Sequence, residues 1–320
     1  MRKLLLVCLV ALLASGCALV QVNIQPETQP LEERVLEGEG AAKVLLIAIE
    51  GVISAEKPTP RPFSLKEPVG MIALLKEELR KAEKDPAVKA VVLKVNSPGG
   101  TVTASDIIYH ELAAFKNKKQ VPLVAAMMDV AASGGYYVSC AADRIIAHPT
   151  AVTGSIGVLA IKVSAAGLLN TIGIQNETLV AGSKKDMWSP LRPLTAAERG
   201  IFQGIIDSLD ERFLEVVVAA RRPGSAQLAT FSDARILTAS EALNLGLVDR
   251  LGYIQDAIEE AKGLAGIKEA RVVTYARPRE YQNNVYSVLG PPMEPSLLGL
   301  DPGWLSSFSP GVHFLYLWAP

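Results

Sequence analysis

From Val69 onward, apolar runs of strand length alternate with amphipathic runs of helix length, and this rhythm constrains the fold more than any other feature of the chain. Gly70 to Ala82 puts Ile72, Leu75 and Leu79 on one helical face and leaves Lys76, Glu77, Glu78 and Lys81 to water. Val88 to Val95, rich in branched side chains, reads as a strand that ends at Pro98-Gly99-Gly100. Thr103 to Phe115 is a predicted helix, Pro122 to Met128 a strand, and a short helix starts near Ser133. Strands are expected at Arg144 to Ala147, near Ile156 to Ile161 and at Glu177 to Val180, with a helix around Val163 to Leu169. Leu194 to Ala220 predicts one or two long amphipathic helices. Thr238 to Leu245 and Ile254 to Leu264 predict two more, before a strand at Ala270 to Tyr275. A continuously apolar strand at Lys43 to Ile49 precedes them all. Strands separated by helices favour right-handed crossovers onto a largely parallel sheet, an α/β architecture.

The two ends of the chain differ from this body. Arg2 and Lys3 precede an apolar run, Leu4 to Leu13, that is short for a membrane span. Leu13-Ala14-Ser15-Gly16-Cys17 follows, small residues leading into a cysteine, and this resembles the bacterial lipobox. Residues 1–16 are therefore expected to be a lipoprotein signal peptide and Cys17 the lipidated residue; an ordinary signal peptide cut nearby is the alternative. Residues 17–42 carry Glu32, Glu33, Glu37 and Glu39 without periodicity and read as a tether. Pro58, Pro60 and Pro62 impose an extended excursion. Residues 276–320 form a proline-rich, partly apolar tail ending Phe314-Leu315-Tyr316-Leu317-Trp318, too broken to span a membrane and of no assigned role.

Charge and cysteine content narrow the function classes. A formal net charge of −1 leaves no basic footprint for nucleic acid. With Cys8 in the signal and Cys17 acylated, only Cys140 remains, so no intrachain disulfide framework forms. Cys140 follows Tyr136 and Tyr137 at helical spacing and reads as a packing thiol. No metal site and no cofactor are expected.

Acyl transfer needs a nucleophile, a base and dipoles aimed at the developing oxyanion. Ser133 follows a buried strand and precedes Gly134 and Gly135, which allow a sharp turn and close substrate approach. It reads either as that nucleophile or as the cap of the helix that begins there. Pro98-Gly99-Gly100 joins a strand to a helix, so its amides can face the sheet's carboxyl end, where ligands bind in open α/β sheets; a plain tight turn is the alternative. The histidines, His110, His148 and His313, have no recognisable acid partner in sequence. Lys185 is the rival base, provided desolvation or a neighbouring cation brings its amine toward neutrality; otherwise it is a surface lysine. Asp186, if close to that amine, works against it.

Asn-Ser-Pro-Gly-Gly from Asn96, Ala-Ser-Gly-Gly-Tyr-Tyr from Ala132, Thr-Gly-Ser-Ile-Gly from Thr153, Lys185-Asp186 after Ala181-Gly182, and Gly-Leu-Val-Asp from Gly246 occur in that order. This set resembles the signal peptide peptidase A (SppA) family of serine peptidases over residues 43–275. The resemblance implies a ClpP/crotonase-like fold with flanking helices, Ser133 as nucleophile, Lys185 as general base and Ser155 as the hydroxyl that orients the lysine. Gly99, Gly100 and Gly134 are the candidate oxyanion-hole residues. With one copy of each motif the chain resembles the short form of the family. That form implies a homo-oligomer in which adjacent protomers share the Ser–Lys dyad. The expected activity is hydrolysis of signal-peptide remnants and other unfolded hydrophobic segments, by a peptidase held by its lipid anchor to a bacterial membrane and facing away from the cytoplasm. A crotonase-like acyl-CoA enzyme and a catalytically inactive lipoprotein scaffold are the alternatives.

Overall fold

The computed structural model describes residues 29–56, 69–278, 280, 282–287 and 313–318. Cys17, the expected signal segment and Pro58, Pro60 and Pro62 lie outside the described residues. Strands β1 (Glu32–Glu37) and β2 (Lys43–Glu50) are followed by helix α1 (Met71–Lys84), β3 (Val88–Ser97), the short β4 (Gly99–Thr101) and α2 (Val102–Lys119). Next come β5 (Leu123–Ala132), α3 (Gly134–Ser139), β6 (Arg144–Ala147), β7 (Val152–Gly154) and β8 (Leu159–Ala160). The second half adds α4 (Ala166–Thr171), α5 (Ala196–Arg221), α6 (Ser225–Phe231), β9 (Ile236–Thr238) and α7 (Ala239–Asn244). It closes with β10 (Arg250–Leu251), α8 (Ile254–Leu264), β11 (Arg271–Ala276) and β12 (Phe314–Leu317).

The main sheet runs β1-β11-β2-β3-β5-β6-β10, with β7 against the far end of β5 and β9 against β7. Neighbours from β11 to β10 pair in parallel, as does β7 with β5, while β1 and β9 are antiparallel. Both faces of the sheet are covered, which is why its central strands carry runs of consecutive apolar residues and not only alternate ones. On β2, Leu45, Ile47 and Ile49 face the core built with α1 and α2, and Val44 and Leu46 face the layer built with α8. Fully burying each such side chain stabilises the fold by roughly 1.5–3 kcal/mol. Helix α1 buries Met71, Leu75, Leu79 and Ala82, three or four residues apart. Thr195 and Glu198 close a capping box that starts α5.

Three expectations are corrected. The stretch read as a tether is ordered in its described part: β1 pairs with β11 over Glu32–Glu37, and Leu31 and Leu36 are buried. Glu32, Glu33 and Glu37 line a sheet edge, where charge is common because it blocks pairing with another chain. Glu177 to Val180 is not a strand; among the described residues no strand pairs with it, and Leu179 is 97% exposed. The strand expected near Ile156 to Ile161 shortens to Leu159–Ala160. The tail contributes β12, which joins β4 and β8 in a second, three-stranded sheet.

Candidate active site

The carboxyl ends of β3, β5 and β7 meet at one edge of the main sheet. Ser97 pairs with Ala131, and Ala132 pairs with Gly154, so the segments that follow these strands emerge side by side. They are Pro98-Gly99-Gly100, Ser133-Gly134 and Ser155, five candidate residues drawn from three distant parts of the sequence.

Ser133 turns the chain from β5 into α3 at φ 52° and ψ −116°. That conformation is open to glycine and strained for serine, by about 1–3 kcal/mol. Two backbone bonds hold it there: Ser133 N–H donates to the Gly154 carbonyl at 2.8 Å, and the Ser133 carbonyl accepts from Tyr137 N–H at 2.8 Å. The side chain makes no helix cap. Its Oγ is buried and has no hydrogen-bond partner among the described residues. A buried hydroxyl left unmatched on a strained strand-to-helix turn is the arrangement that an acyl-transfer nucleophile calls for.

The glycine turn is built around Ser97, whose Oγ donates to the Gly51 carbonyl at 2.6 Å and accepts from Gly99 N–H at 3.0 Å. Gly99 (φ +101°) thus has its amide engaged and supplies room: a Cβ there would lie 1.9 Å from Tyr316 O and 2.7 Å from Gly134 N. Ile53 bonds the Gly99 carbonyl and the Thr101 amide, at 2.8 and 2.9 Å. The Gly100 amide therefore faces the other way, toward the same space as Gly134.

Ser155 (φ 51°) directly follows Gly154, and its N–H donates to the Arg235 carbonyl at 2.8 Å. Lys185 stands apart from these groups, exposed on an irregular segment between α4 and α5. The described chain thus gathers Gly99, Gly100, Ser133, Gly134 and Ser155 and does not join Lys185 to Ser133. Asp186 turns to Arg192, which holds it through Nε–Oδ2 at 2.6 Å and Nη2–Oδ1 at 2.8 Å and also binds Glu198 at 2.7 Å. The guanidinium keeps both carboxyls below their usual range, that of Glu198 at about 2.

Several supporting residues carried a readable but unread signal, namely polar side chains at strand ends inside the quoted motifs. Asn96 Oδ1 accepts from Val130 N–H at 3.1 Å, and Thr153 Oγ1 donates to the Ala131 carbonyl at 2.6 Å, tying β3 and β7 to the end of β5. Tyr137 packs edge-on to Phe213 and donates from its hydroxyl to Asp106 at 2.5 Å. Gly-Leu-Val-Asp is structural: Asp249 Oδ2 accepts from Ile145 N–H and from Arg221, and the Leu247 carbonyl accepts from the Tyr136 hydroxyl. Burial pushes the Cys140 thiol up to about 12, which fits packing and not catalysis. His148 lies beside Thr150 and Tyr253, and His110 is exposed on α2.

Comparison with known proteins gives matches over this same region. The profile of Peptidase family S49 matches residues 115–268 and that of Clp protease residues 70–154. A candidate signal peptide peptidase SppA of Enterococcus faecium is 34% identical over 264 residues, 82% of this chain and 76% of that protein. Protease 4 of Salmonella typhi is 36% identical over 60% of this chain and 31% of its own length. The chloroplastic serine protease SPPA of Arabidopsis thaliana is 30% identical over 82% of this chain and 38% of its own length. The chain thus spans most of the first relative and about a third of the other two.

Proposed function

The chain belongs to peptidase family S49, built on a Clp protease-like domain, and from that membership and the site's geometry we propose that it is a Ser–Lys serine endopeptidase assembled from several protomers. The observation that carries this reading is the buried Oγ of Ser133 on its strained turn, which has no hydrogen-bond partner among the described residues. Ser133 Oγ attacks the scissile carbonyl, and the Lys185 amine takes its proton. The oxyanion is held by the Gly100 and Gly134 N–H groups, each worth roughly 3–4 kcal/mol in comparable sites. The protonated lysine then gives its proton to the leaving amine, and later activates the water that releases the acyl group. Ser155 orients the amine.

The exposure of Lys185 supports sharing of the dyad between adjacent protomers. That segment and the adjoining α4 region also display Val163, Leu168, Ile172 and Leu179, each more than half exposed, and such a concentration of apolar surface favours a second protein surface as its cover. Peptide remnants of export signals fit as substrates, since one relative's name is signal peptide peptidase and Tyr137 and Phe213 pack together just beyond the Ser133 turn. The Cys17 lipobox supports a tether to a bacterial membrane, facing away from the cytoplasm into the periplasm or at the cell surface. Among the described residues no helix is long and apolar enough to cross a membrane.

The test is covalent labelling with an acylating serine probe, mapped by peptide mass spectrometry. Modification at Ser133, abolished in Ser133→Ala and in Lys185→Ala, is the expected result. Labelling elsewhere, or undiminished peptide turnover by Ser133→Ala, removes the assignment.

A further inference from the structure

We infer that the buried ion pair Glu50–Lys94 is a positioning pair for the reaction: it fixes the end of β2, and through it the peptide that aims the Gly100 N–H at the oxyanion. The inference rests on the peptidase reading above.

Lys94 is a buried cation that the mechanism does not use. It lies on β3 with Ala90 and Val92, on the face covered by α8, and is 5% exposed. Lysine is almost never buried to that extent without a partner. Its Nζ meets Glu50 Oε1 at 2.9 Å and donates to the Tyr286 carbonyl at 3.2 Å, next to the buried Val285. In the β2–β3 ladder Ala48 stands opposite Lys94 and Glu50 opposite Asn96, so the pair runs diagonally between the carboxyl ends of two parallel strands. The attraction within a buried pair is largely offset by the desolvation of its charges. What this pair adds is geometry, because it ties the two strand ends together in one register.

The oxyanion turn begins directly after it. Gly51 N–H donates to the Asn96 carbonyl at 2.9 Å, and the Gly51 carbonyl accepts from Ser97 Oγ at 2.6 Å. Two residues further on, Ile53 N–H donates to the Gly99 carbonyl at 2.8 Å. The Gly99 carbonyl and the Gly100 N–H belong to one planar trans peptide and point in opposite directions. Holding that carbonyl on Ile53 therefore aims the Gly100 N–H away from β2, toward the space it shares with Gly134. The contact has no slack: a Cβ at Gly100 would lie 1.9 Å from the Ile53 carbonyl oxygen. A displacement of the β2 end is thus passed to this one peptide, and donors at an oxyanion act only when aimed before the charge develops.

Lys43 supplies the control. At the opposite end of β2 its amine pairs with Glu33 at 2.7 Å and with Asp85 at 2.8 Å, and it too is largely buried. Removing it breaks ion pairs on the same strand without touching the turn.

The experiment measures kcat, KM and thermal stability for wild type, Glu50→Gln, Lys94→Met and Lys43→Met, with a short fluorogenic peptide and below the unfolding range of each. It also measures inhibition by a peptide aldehyde and by the matching alcohol. Ser133 Oγ adds to the aldehyde carbon to give a tetrahedral adduct whose oxygen takes the oxyanion's place, whereas the alcohol binds without reacting. Glu50→Gln and Lys94→Met should lower kcat about tenfold or more with KM unchanged, short of the roughly 100–1,000-fold that follows loss of a whole oxyanion donor. Affinity for the aldehyde should fall with kcat while affinity for the alcohol holds, because only a group that meets the transition state has moved. Lys43→Met should lose stability and keep kcat.

If Glu50→Gln keeps both kcat and aldehyde affinity, or if Lys43→Met loses as much kcat as Glu50→Gln, the pair is merely structural and the inference falls while the peptidase stands. A wild-type chain that neither turns over peptide nor labels at Ser133 removes the peptidase reading, and this inference with it. Glu50→Gln, which keeps the shape of the side chain, decides the matter if Lys94→Met fails to fold.

Discussion

A serine held at φ 52° and ψ −116° makes stability and chemistry separable at Ser133. Alanine removes the hydroxyl and keeps the strain, whereas glycine removes both. Ser133→Ala and Ser133→Gly should both lose turnover. The glycine variant should also unfold at a higher temperature than wild type, by about 2–4 °C for a gain of about 1 kcal/mol in a chain of this size. Thermal denaturation read by circular dichroism checks this, and a glycine variant less stable than the alanine one would mean the turn is not strained. Ser133, Gly99 and Gly100 were legible in the sequence because turn chemistry at a strand end is local: glycine and serine occupy the positions where the backbone departs from ordinary angles. The engagement of the Gly99 amide by Ser97 was not legible, since it depends on Ser97 also reaching the Gly51 carbonyl from another strand.

Helices and central strands announce themselves through periodicity, and β2, β3, α1, α2, α5 and α8 lie where the pattern of apolar residues puts them. The elements that escaped are those whose identity depends on a partner far away in sequence. β1 is six residues long and edge-charged, and β12 is four residues long and pairs with Gly99–Thr101. The segment between α4 and α5 misled in the other direction, because branched residues at Glu177 to Val180 mimic a strand without an edge to join. What orders that segment is Arg192, clamped on Asp186 and Glu198. Since the folded-state carboxyls lie below their usual values, the clamp contributes above the ordinary carboxylate range and is lost as pH falls toward about 2. At the pH of an assay it matters differently: it engages both oxygens of the Asp186 carboxylate, which is next in sequence to the proposed base, Lys185. Arg192→Ala frees that carboxylate to pair with the amine and hold its proton. The acid limb of the kcat/KM profile should move to higher pH, with loss of activity below it and recovery at high pH. In Glu198→Gln, which leaves Asp186 held, the limb should stay in place. A uniform loss at every pH in Arg192→Ala would point to a merely structural clamp.

For the molecule as a whole, the folded chain gathers the proposed nucleophile Ser133, the proposed oxyanion amides and Ser155 but leaves the proposed base in solvent, near exposed apolar residues. These two facts have one explanation if each site borrows its lysine from the neighbour, and closed rings of identical protomers meet through surfaces of this kind. Sequence could supply the residues of such a site without supplying their arrangement, because two groups on different copies of a chain have no sequence separation to read. The arrangement is testable by complementation. Ser133→Ala and Lys185→Ala are each inactive as pure oligomers. When the two are unfolded together and reassembled at equal amounts, a site shared between protomers regains a good serine and a good lysine wherever the neighbours fall in the right order, about a quarter of positions for random mixing. A dyad within one chain regains nothing, since every chain in the mixture lacks one member. Activity near a quarter of wild type after co-assembly, and none when preformed oligomers are merely combined, is the outcome that the shared site requires. Silence in both mixtures, with oligomers intact by size-exclusion chromatography, would place serine and lysine in a single chain and require the Lys185 segment to fold back onto its own Ser133.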